Sequence, residues 1–465
     1  MAPDSTKVAD PYDRQSRRIP TLLEPELACS PLKAQLATLA RRGGGPVVGG
    51  RVLEVAGLVV RISGFPVRVG DIVELDAGSE GALPCEVVGF RGDDLLAVPL
   101  GAARTITPGA PVWRCGARSQ VAVGDALLGR FIDPFGVPID GGPRPVALER
   151  MPVEGAPLAI AQRAQVEQRF ATGVRVIDGL LPCGRGQRVG IFAGAGCGKS
   201  VLVEQIANHS DADVVVIGLI GERGREVREL MSSPRRDRIV AVVATADRSP
   251  RERVRGAAVA SAIAEWFRGQ GKHVLLVIDS LTRYAMALRE IGLSLGEPPA
   301  TKGYPPSVFA ALPRLLERVA PSATGGSITG FYTVLVEGDD LADPIADSAR
   351  SLLDAHVVLA RDLADRGHFP AVDVLASASR VARRVAGRDA CGLAERARGV
   401  LATRRQALEL QALGAYAPGT NPEMDRALVA GQRLDAWARQ SPDDAVAWTE
   451  SLRGLAAALG EEPST

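Results

Sequence analysis

No charge of either sign predominates in this 465-residue sequence: 55 Lys and Arg stand against 54 Asp and Glu. A protein that lives by contacts to nucleic-acid phosphates carries a cationic field, so this balance argues against nucleic acid as a partner. The six cysteines (Cys29, Cys85, Cys115, Cys183, Cys197 and Cys391) include no C-x-x-C pair, and the four histidines are scattered. That excludes a zinc-site spacing and a disulfide framework, and it points to reduced thiols in the cytosol. No apolar run approaches the ~18 residues of a membrane span; stretches such as VVVIGLI (214–220) are strand-sized. The first residues lack the basic, apolar, then small order of a signal peptide, and no internal repeat is visible. What is left is an ordinary soluble composition, 46% hydrophobic and 23% charged, long enough for two or three domains. The expected compartment is the cytoplasm.

The character of the chain changes along its length. Residues 1–45 read as an N-terminal extension, polar and holding Arg14, Arg17 and Arg18, with a short helix opened by Ser30-Pro31. From 46 to 116, short β-branched runs (GRVLEVAGLVVRI, GDIVEL, CEVVGF, LLAVPL, PVWRC) alternate with Gly and Asp turns. This is the pattern of a small β-barrel or sandwich. Its rings are Phe65, Phe90 and Trp113; they read as core rather than as a stacking face for single-stranded nucleic acid. From 117 to 385, near-continuous apolar runs (RVGIFA, DVVVIGLI, RIVAVVAT, HVLLVID, ITGFYTVLV) alternate with helical segments. Such runs suit parallel strands covered on both faces. Residues 386–465 are rich in Ala, Leu and Arg and read as a helical domain.

The chemistry starts at AGAGCGKS: Ala193, Gly194, Ala195, Gly196, Cys197, Gly198, Lys199 and Ser200. The stretch follows an expected strand and opens an expected helix, the context a phosphate-binding loop requires. Glycines let backbone N–H groups turn toward phosphate, and the helix N-terminus adds its positive end. Lys199 would reach the β- and γ-phosphates, and the Ser200 hydroxyl would ligate Mg²⁺. Where the usual motif opens with glycine this chain has Ala193, at the end of a strand, where small size is needed and positive φ is not. Two carboxylates also end strands, on the edge where α/β sheets bind ligands. Asp279, closing HVLLVID, would hold Mg²⁺ through water; Glu222, after DVVVIGLI, would orient and polarise the attacking water.

Taken together, these motifs resemble the catalytic family of rotary-type ATPases with a RecA-like core. PAVDVLASAS (370–379) looks like that family's signature, and GRGQRVGIFAGAGCGKS (184–200) is similar to its approach to the loop, where alanine at the position of Ala193 is common. Within it, the ATPases of type III protein export, flagellar or injectisome, are resembled by three stretches. They are GLIGERGREVREL (218–230), DSLTRYAMALREIGLSLGEPPATKGYPPSVFA (279–310) and FYTVLVEGDDLADPIADSARSLLDAH (331–356). The resemblance spans roughly residues 46–430. It implies a RecA-like P-loop α/β core with an N-terminal small β-barrel and a C-terminal helical domain.

The resemblance also implies roles. Glu222 matches the catalytic glutamate, with Arg223 beside it at the γ-phosphate; Arg380 matches an arginine finger serving the neighbouring subunit's site. Phe369 and Tyr416 match aromatics that sandwich the adenine, and the loop around GEPPATKGYPPSV would face the pore of a ring. The departures are Ala355 and Ala360, where glycine and serine are usual, and the idiosyncratic 381–395. The implied function is Mg-ATP hydrolysis by a homohexamer that energises protein export. The implied partners are a coiled-coil stalk protein, a stator-like regulator, export chaperones and substrates, and a membrane export gate at the inner face of the cell membrane. Two other readings share the P-loop: a catalytic subunit of a rotary ATP synthase and a Rho-like RNA translocase. The export-type stretches disfavour the first; a barrel without a clear aromatic face or basic groove disfavours the second.

Overall fold

The computed structural model describes residues 49–101, 106–146, 148–336, 338, 340 and 342–461. The extension and short helix expected within 1–45 lie outside these residues.

Six strands, β1 (Gly49–Ala56), β2 (Val59–Ile62), β3 (Asp71–Asp76), β4 (Ala82–Arg91), β5 (Asp94–Pro99) and β6 (Pro111–Arg118), close into an antiparallel barrel. Around it they run β1-β2-β5-β4-β3-β6. Alternation puts Val73 and Leu75 of β3 inside with Val52, Ile62, Val87 and Val112, and closure leaves no unpaired edge. Phe65 packs against this core. Phe90 does not: half of it is exposed, although it was expected in the core. It pairs with Leu95 next to the β4–β5 turn, at the barrel's rim.

Downstream, β7 (Gln120–Val123) pairs with β9 (Glu149–Pro152), and β10 (Arg169–Phe170) with β11 (Cys183–Gly184). The large sheet takes in β8 (Phe131–Ile132), β12 (Arg188–Ala193), β13 (Val214–Ile220), β14 (Ile239–Ala244), β15 (His273–Asp279), β16 (Ser327–Leu335), β17 (Ala355–Leu359) and β18 (Ala378–Ser379). Its order is β18-β17-β12-β16-β15-β13-β14-β8, parallel throughout except at β18. The apolar runs are continuous because both faces are covered. Val214, Val216, Val240, Val242, Leu276 and Ile278 join one core with the helices Pro250–Gly269, Leu281–Ser294 and Pro306–Leu316. Their neighbours Val215, Ile217, Ala241, Leu275 and Val277 join another with the helix Lys199–His209.

Local chemistry starts these helices where the strands need them. Pro250–Gly269 opens with a reciprocal cap: Glu252 N–H donates to Ser249 Oγ at 3.3 Å, and Ser249 N–H to Glu252 Oε2 at 2.9 Å. Removing such a cap costs about 1 kcal/mol. The C-terminal helices are Ala382–Ala412, broken at Gly387, then Pro422–Ala438 and Trp448–Leu459. Arg175 ties them to the core by donating to the carbonyls of Trp437 (2.8 Å) and Arg439 (3.2 Å).

In the helix Arg175–Leu180, Asp178 is completely buried. Its carboxylate accepts from Thr172 N–H (2.9 Å), Thr172 Oγ1 (2.7 Å) and Gly173 N–H (3.1 Å). Burial nevertheless pushes this carboxyl up to about 7, outweighing the hydrogen bonds that favour its ionised form. The folded state therefore holds this proton more tightly than the unfolded chain, where an aspartate titrates near 3.9. Its contribution to stability is complete below about pH 4 and is lost as pH rises toward 7. The unfolding temperature is expected to carry a downward slope across that window, and Asp178→Asn to remove it. Identical slopes in wild type and variant would show that Asp178 titrates normally.

Candidate active site

Strand β12 delivers the chain to the loop in extended form: Ala193, its last residue, pairs with Leu335 of β16 and Leu359 of β17. A side chain is tolerated here because the backbone is still a strand. Left-handed backbone comes later, at Gly196 (φ +83) and Gly198 (φ +83), where a side chain would be strained. Gly198 then stands at the N-terminus of the helix Lys199–His209. A Cβ on Gly198 would also lie 3.3 Å from the Phe369 ring, which covers the loop and keeps 42% of its own surface exposed.

Three elements bring charge together at this point. Lys199 Nζ lies 3.3 Å from Glu222 Oε1 and also contacts Asp279 Oδ1, with all three side chains buried. Glu222 follows β13 through Gly221, whose φ of +73 turns the chain and whose missing Cβ makes room for the Arg283 side chain. Asp279 ends β15. Burial works to lower the Lys199 amine, but Asp279 and then Glu222 outweigh it and raise it above its ordinary value. Burial and the neighbouring Asp279 push Glu222 up, with Lys199 opposing. A carboxyl raised in this way is better suited to take a proton from water.

Two groups in the cluster escaped the sequence reading. Glu226, one turn into the helix Gly224–Met231, accepts from Ser200 Oγ at 3.2 Å. Thr333 of β16, fully buried, donates its hydroxyl to Asp279 Oδ1 at 2.5 Å. Helical spacing does not link Glu226 to Glu222, because Glu222 precedes the extended N-cap Arg223; nothing in the apolar run FYTVLV marks the second. With one ammonium among three carboxylates, the site carries surplus negative charge and oxygen donors, which suits a hard divalent cation. Among the described residues no group of three or more His, Cys, Asp and Glu forms a metal cage. Mg²⁺ takes only one or two carboxylates beside waters and substrate phosphates, and Asp279 and Glu226 beside the Ser200 hydroxyl would supply them.

Three other predicted residues lie outside this buried cluster. Arg223 is exposed, at the N-cap of the helix Gly224–Met231. Arg380 is exposed just after β18, and its N–H donates to Asp354 O at 3.0 Å. Asp354 in turn pairs with Arg188, the first residue of β12. Arg380 thus stands by the opening end of the strand whose closing end carries the P-loop, about 17 Å along it at ~3.3 Å per residue. Tyr416 is not brought to the loop, contrary to its expected place beside the adenine. Its hydroxyl donates to Asp425 in the first turn of the helix Pro422–Ala438, while Phe369 O accepts from Gln440 N beyond that helix's far end. At ~1.5 Å per residue, some 22 Å separates the two ends. The helix length puts the two rings apart.

Fold and site together define a P-loop ATPase of the rotary type. The ATP synthase alpha/beta family nucleotide-binding domain matches residues 173–379, and the T3SS EscN ATPase C-terminal domain matches 387–457. The Flagellum-specific ATP synthase of Salmonella typhimurium is 46% identical over 421 residues, covering 87% of this chain and 92% of that protein. The Type 3 secretion system ATPase of Pseudomonas syringae pv. tomato is 45% identical over 419 residues, covering 88% and 93%. Among solved structures, the assembled ATPase EscN from the enteropathogenic E. coli type III secretion system superposes with a TM-score of 0.84 at 39% identity. It covers 88% of this chain and 100% of that one. EscN in complex with its central stalk EscO gives a TM-score of 0.80 at 38% identity, with the same coverage. The chain belongs to the family of flagellar and type III secretion ATPases, and it is an ATPase.

Proposed function

We propose that the chain works as a homohexameric ring that hydrolyses Mg-ATP to energise protein export, with each site completed by Arg380 of the next subunit. The observation that carries this reading is the placement of Arg380 at the opposite end of β12 from its own P-loop. A guanidinium there cannot reach its own γ-phosphate, yet one chain bearing both halves can complete every site of a closed ring. Within a subunit, the loop N–H groups and Lys199 bind the phosphates. Glu222 orients and deprotonates the attacking water, Arg223 lies beside it for the γ-phosphate, and Phe369 stacks against the base. Ser200 would hold Mg²⁺, with Asp279 and Glu226 gripping its water shell; the ion, when bound, neutralises charge on the β- and γ-oxygens.

The EscN–EscO complex supports a central stalk as partner. The regulator, chaperones, substrates and export gate, and work at the inner face of the cell membrane, belong to the same proposal, supported by the resemblance to export ATPases. Among the described residues no helix is long and apolar enough to cross a membrane.

If assembly completes the site, turnover per chain is expected to rise with protein concentration, in step with the assembled fraction measured by light scattering. Constant turnover per chain, down to dilutions that hold only monomers, would remove the shared site.

A further inference from the structure

We infer that Thr333 is a positioning residue for the metal-binding carboxylate: its hydroxyl fixes Asp279 so that the free oxygen, Oδ2, is presented to the Mg²⁺ shell. This rests on the nucleotide-site reading above and deepens it.

Strand β16 lies between the P-loop strand β12 and the Asp279 strand β15, and Thr333 pairs in register with Ile191 of β12. Its neighbours on the strand, Tyr332 and Val334, join one face's core, and Phe331 joins the other's. At a site this deep, with no exposure at all, valine would satisfy the packing and the strand geometry equally well. A buried hydroxyl costs free energy unless it is paired, and this one spends its hydrogen on Asp279 Oδ1. Thr329, four residues earlier on the same strand, differs: its Oγ1 accepts from the backbone N–H of Gly186, a purely structural bond.

Lys199 and Thr333 both meet Oδ1, and Oδ2 accepts no hydrogen bond from any described residue. Two donors on one oxygen hold the carboxylate against rotation about its last bond, a torsion that is otherwise broad. Lys199 cannot do this alone during the reaction, because the same ammonium is needed at the phosphates. The threonine has no competing task. Outer partners of this kind typically change metal affinity or activity 10- to 100-fold when removed.

The test compares Thr333→Val with Thr333→Ser, reading the Mg²⁺ dependence of fluorescent ADP binding alongside turnover and thermal unfolding. Thr333→Val is expected to raise the Mg²⁺ concentration for half-maximal tight binding about 10-fold. Its affinity measured in EDTA should stay at the wild-type value, and Thr333→Ser should restore the Mg²⁺ response. Wild-type Mg²⁺ dependence in Thr333→Val would overturn the inference. So would a loss of affinity equal with and without Mg²⁺, since that marks a merely structural residue. Thr333→Val with wild-type Mg²⁺ dependence beside an inactive Glu222→Gln would sink this inference alone. An active Glu222→Gln would instead indict the reading of the site.

Discussion

Mixing Lys199→Ala subunits with Arg380→Ala subunits is expected to restore ATP turnover that neither variant has alone. Lys199→Ala removes the ammonium that touches Glu222 and Asp279, so its own loop fails, yet it still carries an intact Arg380. Arg380→Ala carries an intact loop and lacks the finger. With random assembly at equal amounts, a site is competent when an Arg380→Ala loop meets a Lys199→Ala neighbour, about one site in four in a closed ring. An arginine finger contributes roughly 10³–10⁵ in turnover, so the recovered signal should stand far above either parent. Arg380 is solvent-exposed and held by its backbone to Asp354, so its truncation should leave stability nearly unchanged. A mixture as inactive as its components, with assembly intact, defeats the shared site.

Glu222→Gln should lower turnover by roughly 10²–10⁴, the usual range for a positioned acid or base, and leave ATP bound at least as tightly. The amide keeps an oxygen for the Lys199 ammonium, 3.3 Å away, so the loop's geometry survives. It also removes one negative charge from a buried site that already holds Asp279, which favours an incoming polyphosphate. Phosphate release and fluorescent nucleotide binding, measured on one preparation, separate the two effects. Turnover at the wild-type level would take Glu222 out of the chemistry; loss of binding together with turnover would make it a structural partner of Lys199.

The contrast between Ala193 and Tyr416 shows what could be read from sequence. Ala193 was legible because the run RVGIFA implies a strand, and a strand's last residue needs no positive φ. Tyr416 was assigned by its place in a resemblance, and no periodicity in the helix that follows reveals which end of it meets the nucleotide loop. Glu226 was not marked by helical spacing, because Glu222 lies before the helix that carries it. Thr333 was not marked either, because a threonine inside an apolar strand is silent until the register of β16 against β15 is known.

The sequence by itself determined the P-loop, the strand-end carboxylates and the layering of helices on a parallel sheet. These follow from local spacing, turn chemistry and apolar periodicity, which act over a few residues. Only the tertiary structure decided that Asp279 is held by Thr333, that Phe369 covers Gly198 while Tyr416 lies a helix length away, and that Arg380 stands at the opposite end of β12 from its own loop. Those relations depend on the order of strands in the sheet and on helix lengths, which bring together, or hold apart, residues tens to hundreds of positions distant in the chain.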